Sequence, residues 1–254
     1  MATKAPSPDG SQPTAEGIVL LDGGKSCQVT RFNDIVKKSG SRVRREEGNA
    51  LIFARDIGLP VPRVLDISDA EKGHTITMEY IDAVCLEDAW PDLSSEQRLA
   101  IARELRNIIT TMRQHSRDSI GGCGGPLHLP RVYTSSIGGP FESEAAFNNF
   151  AYDLVGTTPR GIRRLFSEGL PTQSRLVFTH GDLMPPNIFI KDHRLYAIID
   201  MEYSGWYPDY WEYVRFFQGA TNCKGWKDLA DEIFETTYAT ELLLSQASLR
   251  WQRP

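Results

Sequence analysis

Three polar residues in the second half of the chain have the types and spacing that metal-assisted group transfer requires. His180-Gly181-Asp182 follows the apolar run Leu176-Val177-Phe178, Asn187 comes five residues after Asp182, and Asp200 closes the apolar run Tyr196-Ala197-Ile198-Ile199. Asn187–Ile190 reads as a short strand, Lys191–Arg194 as a turn and Leu195–Ile199 as the returning strand. Such a hairpin brings Asp182, Asn187 and Asp200 to one point. One carboxylate can orient an attacking hydroxyl. An amide oxygen and a second carboxylate are hard ligands for Mg²⁺, which keeps several waters and takes few protein ligands. Each residue alone could cap a loop or end a strand; the set, flanked by apolar strands, points to phosphoryl transfer.

The surrounding elements must position these groups. Residues 1–17 are rich in Pro, Ser, Gly and Thr and lack aromatics, which predicts a disordered tail. Two β-type stretches follow, Ile18–Leu21 and Cys27–Lys38, split by the turn signal Asp22-Gly23-Gly24-Lys25. Residues 44–57 suit a helix with Ala50, Leu51, Phe53 and Ala54 on its apolar stripe, stopped by Gly58. Leu59-Pro60-Val61-Pro62 must be extended, because each proline disfavours helix in its predecessor. Strands at Arg63–Ile67 and His74–Ile81 complete a small β-rich lobe over residues 18–81.

Residues 82–254 read as a larger, mostly helical lobe, giving an α+β chain. Ser94 and Gln97 form a capping box for a helix to about His115, with Leu99, Ala102, Leu105, Ile109 and Met112 along one face. A Gly/Pro-rich loop spans 120–140, a helix starts near Ser143, and a strand covers Arg175–Thr179. Further helices start at about Asp209 and Gly225. Trp206, Tyr207, Tyr210 and Trp211 read as core.

The chain has 254 residues, a 41% hydrophobic content and a formal net charge of −5. That length suits one large domain or two lobes around a cleft. The negative balance argues against a nucleic-acid partner. The run Arg42-Val43-Arg44-Arg45, followed by Glu46-Glu47, reads as a solvated helix start. Cys27, Cys85, Cys123 and Cys223 are too scattered for a disulfide scaffold or a zinc site, which fits a reduced, cytoplasmic protein. No apolar leader or membrane-length run is present, so no membrane partner is expected.

The pattern H-G-D-L-x-x-x-N followed by an apolar pair and Asp resembles the catalytic and metal motifs of the aminoglycoside phosphotransferase family. That family has the two-lobed protein-kinase-like fold and includes choline-kinase-like enzymes. Leu59–Leu65, Met78–Ile81, Gly139–Ser143 and Gly205–Tyr213 look like segments of its fungal branch, so the likeness covers roughly residues 30–240. The resemblance implies a kinase that moves the γ-phosphoryl group of Mg-ATP or Mg-GTP to a hydroxyl of a small molecule, an amine-bearing one being possible. Asp182 would be the catalytic base or hydroxyl-orienting residue, Asn187 and Asp200 the Mg²⁺ ligands, and His180 a brace that hydrogen-bonds to backbone. The strand lysine that meets the nucleotide phosphates would be Lys38, with Lys37 on the opposite face as the alternative. Its helix partner would be Glu47 rather than Glu46. Met78-Glu79-Tyr80-Ile81 resembles a hinge in which the Glu79 carbonyl and the Ile81 amide meet the adenine edge and Met78 lies behind it.

Several features depart from the family pattern. No G-x-G-x-x-G is present, and Asp22–Ser26 is the candidate phosphate-covering turn in what looks like a trimmed N-terminal lobe. Met184 stands where relatives carry His and protein kinases carry Lys, so a positive charge is missing or comes from elsewhere. A kinase-like protein that binds without turnover is the alternative. A protein kinase fits less well: the eight residues 201–208 between Asp200 and Asp209 are too few for a peptide-docking segment. Glu202, Asp209 and Glu212 would suit an amine acceptor, or equally serve as a helix cap and as solvated or Arg215-paired groups.

Overall fold

The computed structural model describes residues 17–130, 135–152, 154 and 156–251. The expected tail lies outside them apart from Gly17. The N-terminal part is a five-stranded antiparallel sheet in the order β1-β2-β3-β5-β4 with one helix upon it. Its elements are β1 (Ile18–Asp22), β2 (Gln28–Phe32), β3 (Ile35–Gly40), α1 (Arg45–Asp56), β4 (Val64–Asp69) and β5 (His74–Glu79). The stretch expected as one strand over Cys27–Lys38 is thus a hairpin. Asn33 turns it at φ 54°, a left-handed geometry that asparagine tolerates, and apolar Phe32 and Ile35 on either side hid the break.

Helix α1 buries Glu47, Gly48, Ala50, Leu51 and Ala54. Gly48 permits its close approach to β4: a Cβ there would stand 2.4 Å from Ile67 Cδ1. Gly58 ends the helix at φ 87°, and the Leu59 amide donates to the Ala54 carbonyl at 2.9 Å. The extended Leu59–Arg63 link then returns the chain to the sheet.

The C-terminal part begins with β6 (Val84–Cys85), α2 (Leu86–Ala89) and α3 (Ser95–Arg113). The Ser94–Gln97 capping box forms, with Gln97 N donating to Ser94 Oγ at 3.3 Å and Ser94 N to Gln97 Oε1 at 2.8 Å. Ile101, Ala102, Leu105, Ile108, Ile109 and Met112 are buried, while Leu99 is only half-buried. The expected loop over 120–140 contains a hairpin, β7 (Leu127–Pro130) and β8 (Ser135–Gly138). There follow α4 (Glu144–Tyr152), α5 (Arg160–Gly169), β9 (Leu176–Thr179), β10 (Ile188–Lys191), β11 (Arg194–Ile198), β12 (Gly205–Pro208), α6 (Trp211–Gln218), α7 (Ala230–Ile233) and α8 (Ala239–Ser248). The helix expected from Gly225 is instead a 3₁₀ turn at Lys227–Leu229 running into α7, with α8 separate from it.

Strands β6, β10 and β11 form one small sheet and β9 pairs with β12. One apolar cluster runs from Val36 and Leu51 through α3 to Trp206 and Trp226. A second gathers Phe147, Tyr207, Tyr210 and Trp211, so the four aromatics at 206–211 are core. Among the described residues, no helix is long and apolar enough to cross a membrane.

Candidate active site

Strand β9 delivers His180 to a fully buried position, and Gly181 then turns the chain at φ 80°. A Cβ at Gly181 would meet the Tyr203 carbonyl oxygen at 2.7 Å, so conformation and space both call for glycine. His180 Nε2 donates to the Ile199 carbonyl at 3.0 Å, and Nδ1 accepts the Asp182 amide at 3.2 Å. These two contacts put the ring proton on Nε2 and make His180 a clamp between the loop and the end of the β10–β11 hairpin.

Glu212 clamps the loop from below. Buried in α6, it accepts the amides of His180 at 2.6 Å and Gly181 at 3.2 Å. Burial raises its pKa, against the pull of His180 and of those two N–H dipoles. Arg215, one turn further on, donates from Nε to the Gly181 carbonyl at 3.0 Å and places Nη2 3.9 Å from Asp182 Oδ1. Burial lowers the Arg215 pKa, while Asp182 supports its charge.

The loop presents Asp182 beside Asn187, whose Nδ2 donates to Asp182 O at 2.9 Å and to Asp182 Oδ2 at 3.0 Å. Asn187 lies in a short 3₁₀ turn, and the strand expected to begin there starts one residue later. Asp200 follows β11 in the left-handed region at φ 63°. Lys38 Nζ lies 2.8 Å from Asp200 Oδ1 and 2.7 Å from Glu47 Oε1. Lys38 therefore faces the cleft and Lys37 does not, while the Lys38 partner on α1 is Glu47 and not Glu46. Burial opposes the Lys38 charge, but Glu47 and Asp200 outweigh it and raise its pKa. Burial lifts the Glu47 carboxyl despite Lys38. For Asp200, Lys38 overcomes the burial cost and lowers the pKa.

Lys38, Glu47, Asn187 and Asp200 line a cavity of about 930 Å³ between the sheet and the C-terminal part, and Asp182 adjoins it through Asn187. Met78, Glu79, Tyr80 and Ile81 line the same cavity. Tyr80 N donates to Asp34 O at 2.8 Å and Glu79 N to Arg63 O at 3.0 Å. Val29, Val36, Leu51 and Met78 supply an apolar bed suited to a flat heterocycle. The Gly23-Gly24 turn closes on itself, with Gly23 N donating to Cys27 O at 2.8 Å.

The donor set suits magnesium. The Asn187 amide nitrogen is committed to Asp182, which leaves its carbonyl oxygen as the group for a cation, and Asp200 keeps a carboxylate oxygen beyond the one on Lys38. Among the described residues there is no cluster of three or more His, Cys, Asp or Glu side chains that would suit a transition metal.

Two residues here were not anticipated from sequence. Arg42 does not belong to a solvated helix start: it lines the cavity and meets Glu202 at 3.3 Å. Lys227 lies 3.6 Å from Met184 Sδ and donates to the Phe216 carbonyl. Burial and the neighbouring Arg215 lower its pKa to about 8. In the unfolded chain this lysine stays protonated to about pH 10.5. The unfolded state therefore binds more protons between pH 8 and 10.5, and this group adds stability as pH rises through that window. Lys227→Met is accordingly expected to raise Tm at pH 7 by a few degrees. The difference should shrink towards pH 10, and a Tm gain independent of pH in thermal melts would contradict it. Partial solvent exposure keeps the effect near ~1 kcal/mol.

The three candidate acids for an amine acceptor have internal partners. Glu202 meets Arg42 and His128, Asp209 meets Arg113 at 3.6 Å, and Glu212 holds the two amides. Glu212 does not pair with Arg215, as one reading of the sequence allowed; Arg215 faces Asp182.

Known proteins resemble this chain in sequence and in fold. Residues 29–244 match the family profile described as the phosphotransferase enzyme family, APH. An aminoglycoside 3'-phosphotransferase of Enterococcus faecalis is 30% identical over 168 residues, covering 62% of this chain and 58% of that relative. The matched region thus spans less than two thirds of its length. A second, from Streptomyces fradiae, is 20% identical over 189 residues, covering 72% of this chain and 68% of its own. Among solved structures, an aminoglycoside-3'-phosphotransferase of type VIII superposes with a TM-score of 0.61 at 16% identity, covering 94% of each chain. A ternary complex of aminoglycoside phosphotransferase APH(4)-Ia with ADP and hygromycin B gives a TM-score of 0.62 at 15% identity, covering 92% of this chain and 84% of the other. The fold is thus the kinase-like fold of these enzymes, and the chain belongs to the phosphotransferase enzyme family.

Proposed function

We propose that this protein is a small-molecule kinase that transfers the γ-phosphoryl group of a Mg-nucleotide, ATP by preference, to an acceptor hydroxyl. The observation that carries this reading is that Lys38, Asn187 and Asp200 line one cavity together with an apolar bed, with Asp182 hydrogen-bonded to Asn187 beside it. Lys38 orients the nucleotide phosphates, held in place by Glu47. Asp182, with Oδ2 fixed by Asn187, orients the acceptor hydroxyl and takes its proton as the oxygen attacks the γ-phosphorus. The bond from phosphorus to the β–γ bridging oxygen breaks, and the nucleoside diphosphate leaves. Magnesium, held by Asn187 and Asp200, would neutralise charge on the phosphate oxygens.

Residues 18–81 would form the nucleotide-binding lobe and 82–254 the catalytic and acceptor-binding lobe. The relatives named for aminoglycosides support a small acceptor. The pairing of Glu202, Asp209 and Glu212 gives no free carboxylate for an amine among those three. The segments at Leu59–Leu65 and Gly205–Tyr213 support a place in the fungal branch, and four free thiols suit the cytoplasm.

A thermal-shift titration tests the reading. With ATP and Mg²⁺ at about one hundred times Kd, Tm should rise by about 5–10 °C. No shift at millimolar nucleotide would count for a protein that does not use nucleotide. A shift without ADP release across sugars, amino alcohols and aminoglycosides would favour binding without turnover.

A further inference from the structure

We propose that Arg42 is a nucleotide-phosphate ligand that restores the positive charge Met184 leaves out. This inference rests on the kinase reading of the same cavity. Among the residues lining the cavity, the cations are Lys38 and Arg42, against Glu47, Asp200 and Glu202 at the same end. The Lys38 charge is already shared between two of those carboxylates, at 2.7 and 2.8 Å. A triphosphate entering beside three carboxylates with Lys38 alone would meet a net negative wall. Arg42 changes that balance.

Its position fits the role. Arg42 follows β3, and its amide donates to Ser26 O at 2.9 Å, while the Ser41 amide donates to Lys25 O at 3.0 Å. Gly40 lies against the same segment: a Cβ there would stand 2.4 Å from Ser26 O. The Gly23–Cys27 turn and Arg42 therefore form one unit, a glycine-poor cover with a cation attached to its base. The Arg42 side chain is half-exposed, and its carboxylate contact is a single one at 3.3 Å, to a Glu202 oxygen that also faces His128 Nδ1 at 3.6 Å. Tyr203 is its other side-chain partner, so the half-exposed guanidinium is held by one carboxylate and one phenol, weaker partners than a phosphate, whose bidentate recognition is what that fork does well. Glu202, two residues after Asp200, sets the resting direction of the fork towards the phosphate end.

The test compares ATP and adenosine binding by calorimetry in EDTA, so that no metal contributes. Arg42→Ala should weaken ATP by roughly 10- to 100-fold and leave adenosine unchanged. Arg42→Lys should retain part of the affinity. Glu202→Gln, which frees the guanidinium, should hold or tighten ATP. If Arg42 only ties the two halves of the protein together, Arg42→Ala and Glu202→Gln will move ATP affinity in the same direction, and the proposal fails. It fails equally if Arg42→Ala leaves ATP unchanged. Wild-type protein that binds neither ATP nor adenosine would overturn the kinase reading itself, an outcome distinct from a silent Arg42.

Discussion

Asp182→Asn is expected to lower phosphoryl-transfer turnover by about 10²–10⁴-fold while nucleotide affinity stays essentially as in the wild type. The substitution is close to isosteric, and the new amide oxygen still accepts from Asn187 Nδ2, which holds Asp182 Oδ2 at 3.0 Å. What it loses is the capacity to take a proton from the acceptor hydroxyl. It also removes the negative charge facing Arg215, whose Nη2 lies 3.9 Å away. Arg215 keeps the Gly181 carbonyl and the Gln218 side chain, so the loop should retain its shape. ADP release in a coupled assay, alongside ATP calorimetry, separates the two quantities. Turnover within a few-fold of wild type would remove Asp182 from its assigned role.

Lys38→Met should act on stability and chemistry together. The ammonium is buried between Glu47 and Asp200, and its loss strands Glu47, whose Oε2 already has no hydrogen-bond partner. Breaking a buried pair on one side costs about 3–5 kcal/mol, which for a chain of this size lowers Tm by about 6–20 °C. The direction of the pH effect follows from Glu47, whose pKa burial raises to about 7 even with Lys38 present. The native state then binds more protons than the unfolded chain above the ordinary glutamate pKa. Stability from this group is thus present at low pH and is lost as pH rises through the native pKa. The Lys38→Met defect should therefore be milder near pH 5 than near pH 8. Lys38→Met/Glu47→Leu removes the stranded carboxylate and should recover most of the Tm but none of the activity. A double variant as unstable as the single one would show that packing, and not the unpaired charge, sets the cost.

The site was legible in sequence where its geometry is local. Asp182, Asn187 and Asp200 lie within one strand–loop–hairpin unit, so their convergence follows from strand alternation and a turn. Alternation said that only one of Lys37 and Lys38 can face the cleft, and the family resemblance favoured Lys38; Val36 and Lys38 are buried and Lys37 is exposed on the other face. Element boundaries were legible where the punctuation was strong: the Ser94 cap, Gly58, and Pro60 with Pro62. Arg42 was obscured because a basic run beside two glutamates looks like any solvated helix start. Its meaning depends on Glu202, 160 residues away. Lys227 was hidden for the same reason, since its contacts with Met184 and Phe216 cross between elements. The Asn33 turn failed on local grounds, lacking the glycine that usually marks such a hairpin. Glu212 sits in an aromatic run that announces a core helix, and nothing local says that a carboxylate in that run will be used by backbone amides.

That carboxylate has a consequence for how activity and cooperativity are tied. The His180 and Gly181 amides are held by a residue more than thirty positions downstream, on a helix that also packs against α8. His180 and Asn187 tie Asp182 locally, but the amides that open its loop have their side-chain acceptor on α6. Their hydrogen-exchange protection should thus track the unfolding of the whole C-terminal part rather than the fraying of a loop. Perturbing α6 from its far side offers a way to silence the chemistry without occupying the cleft.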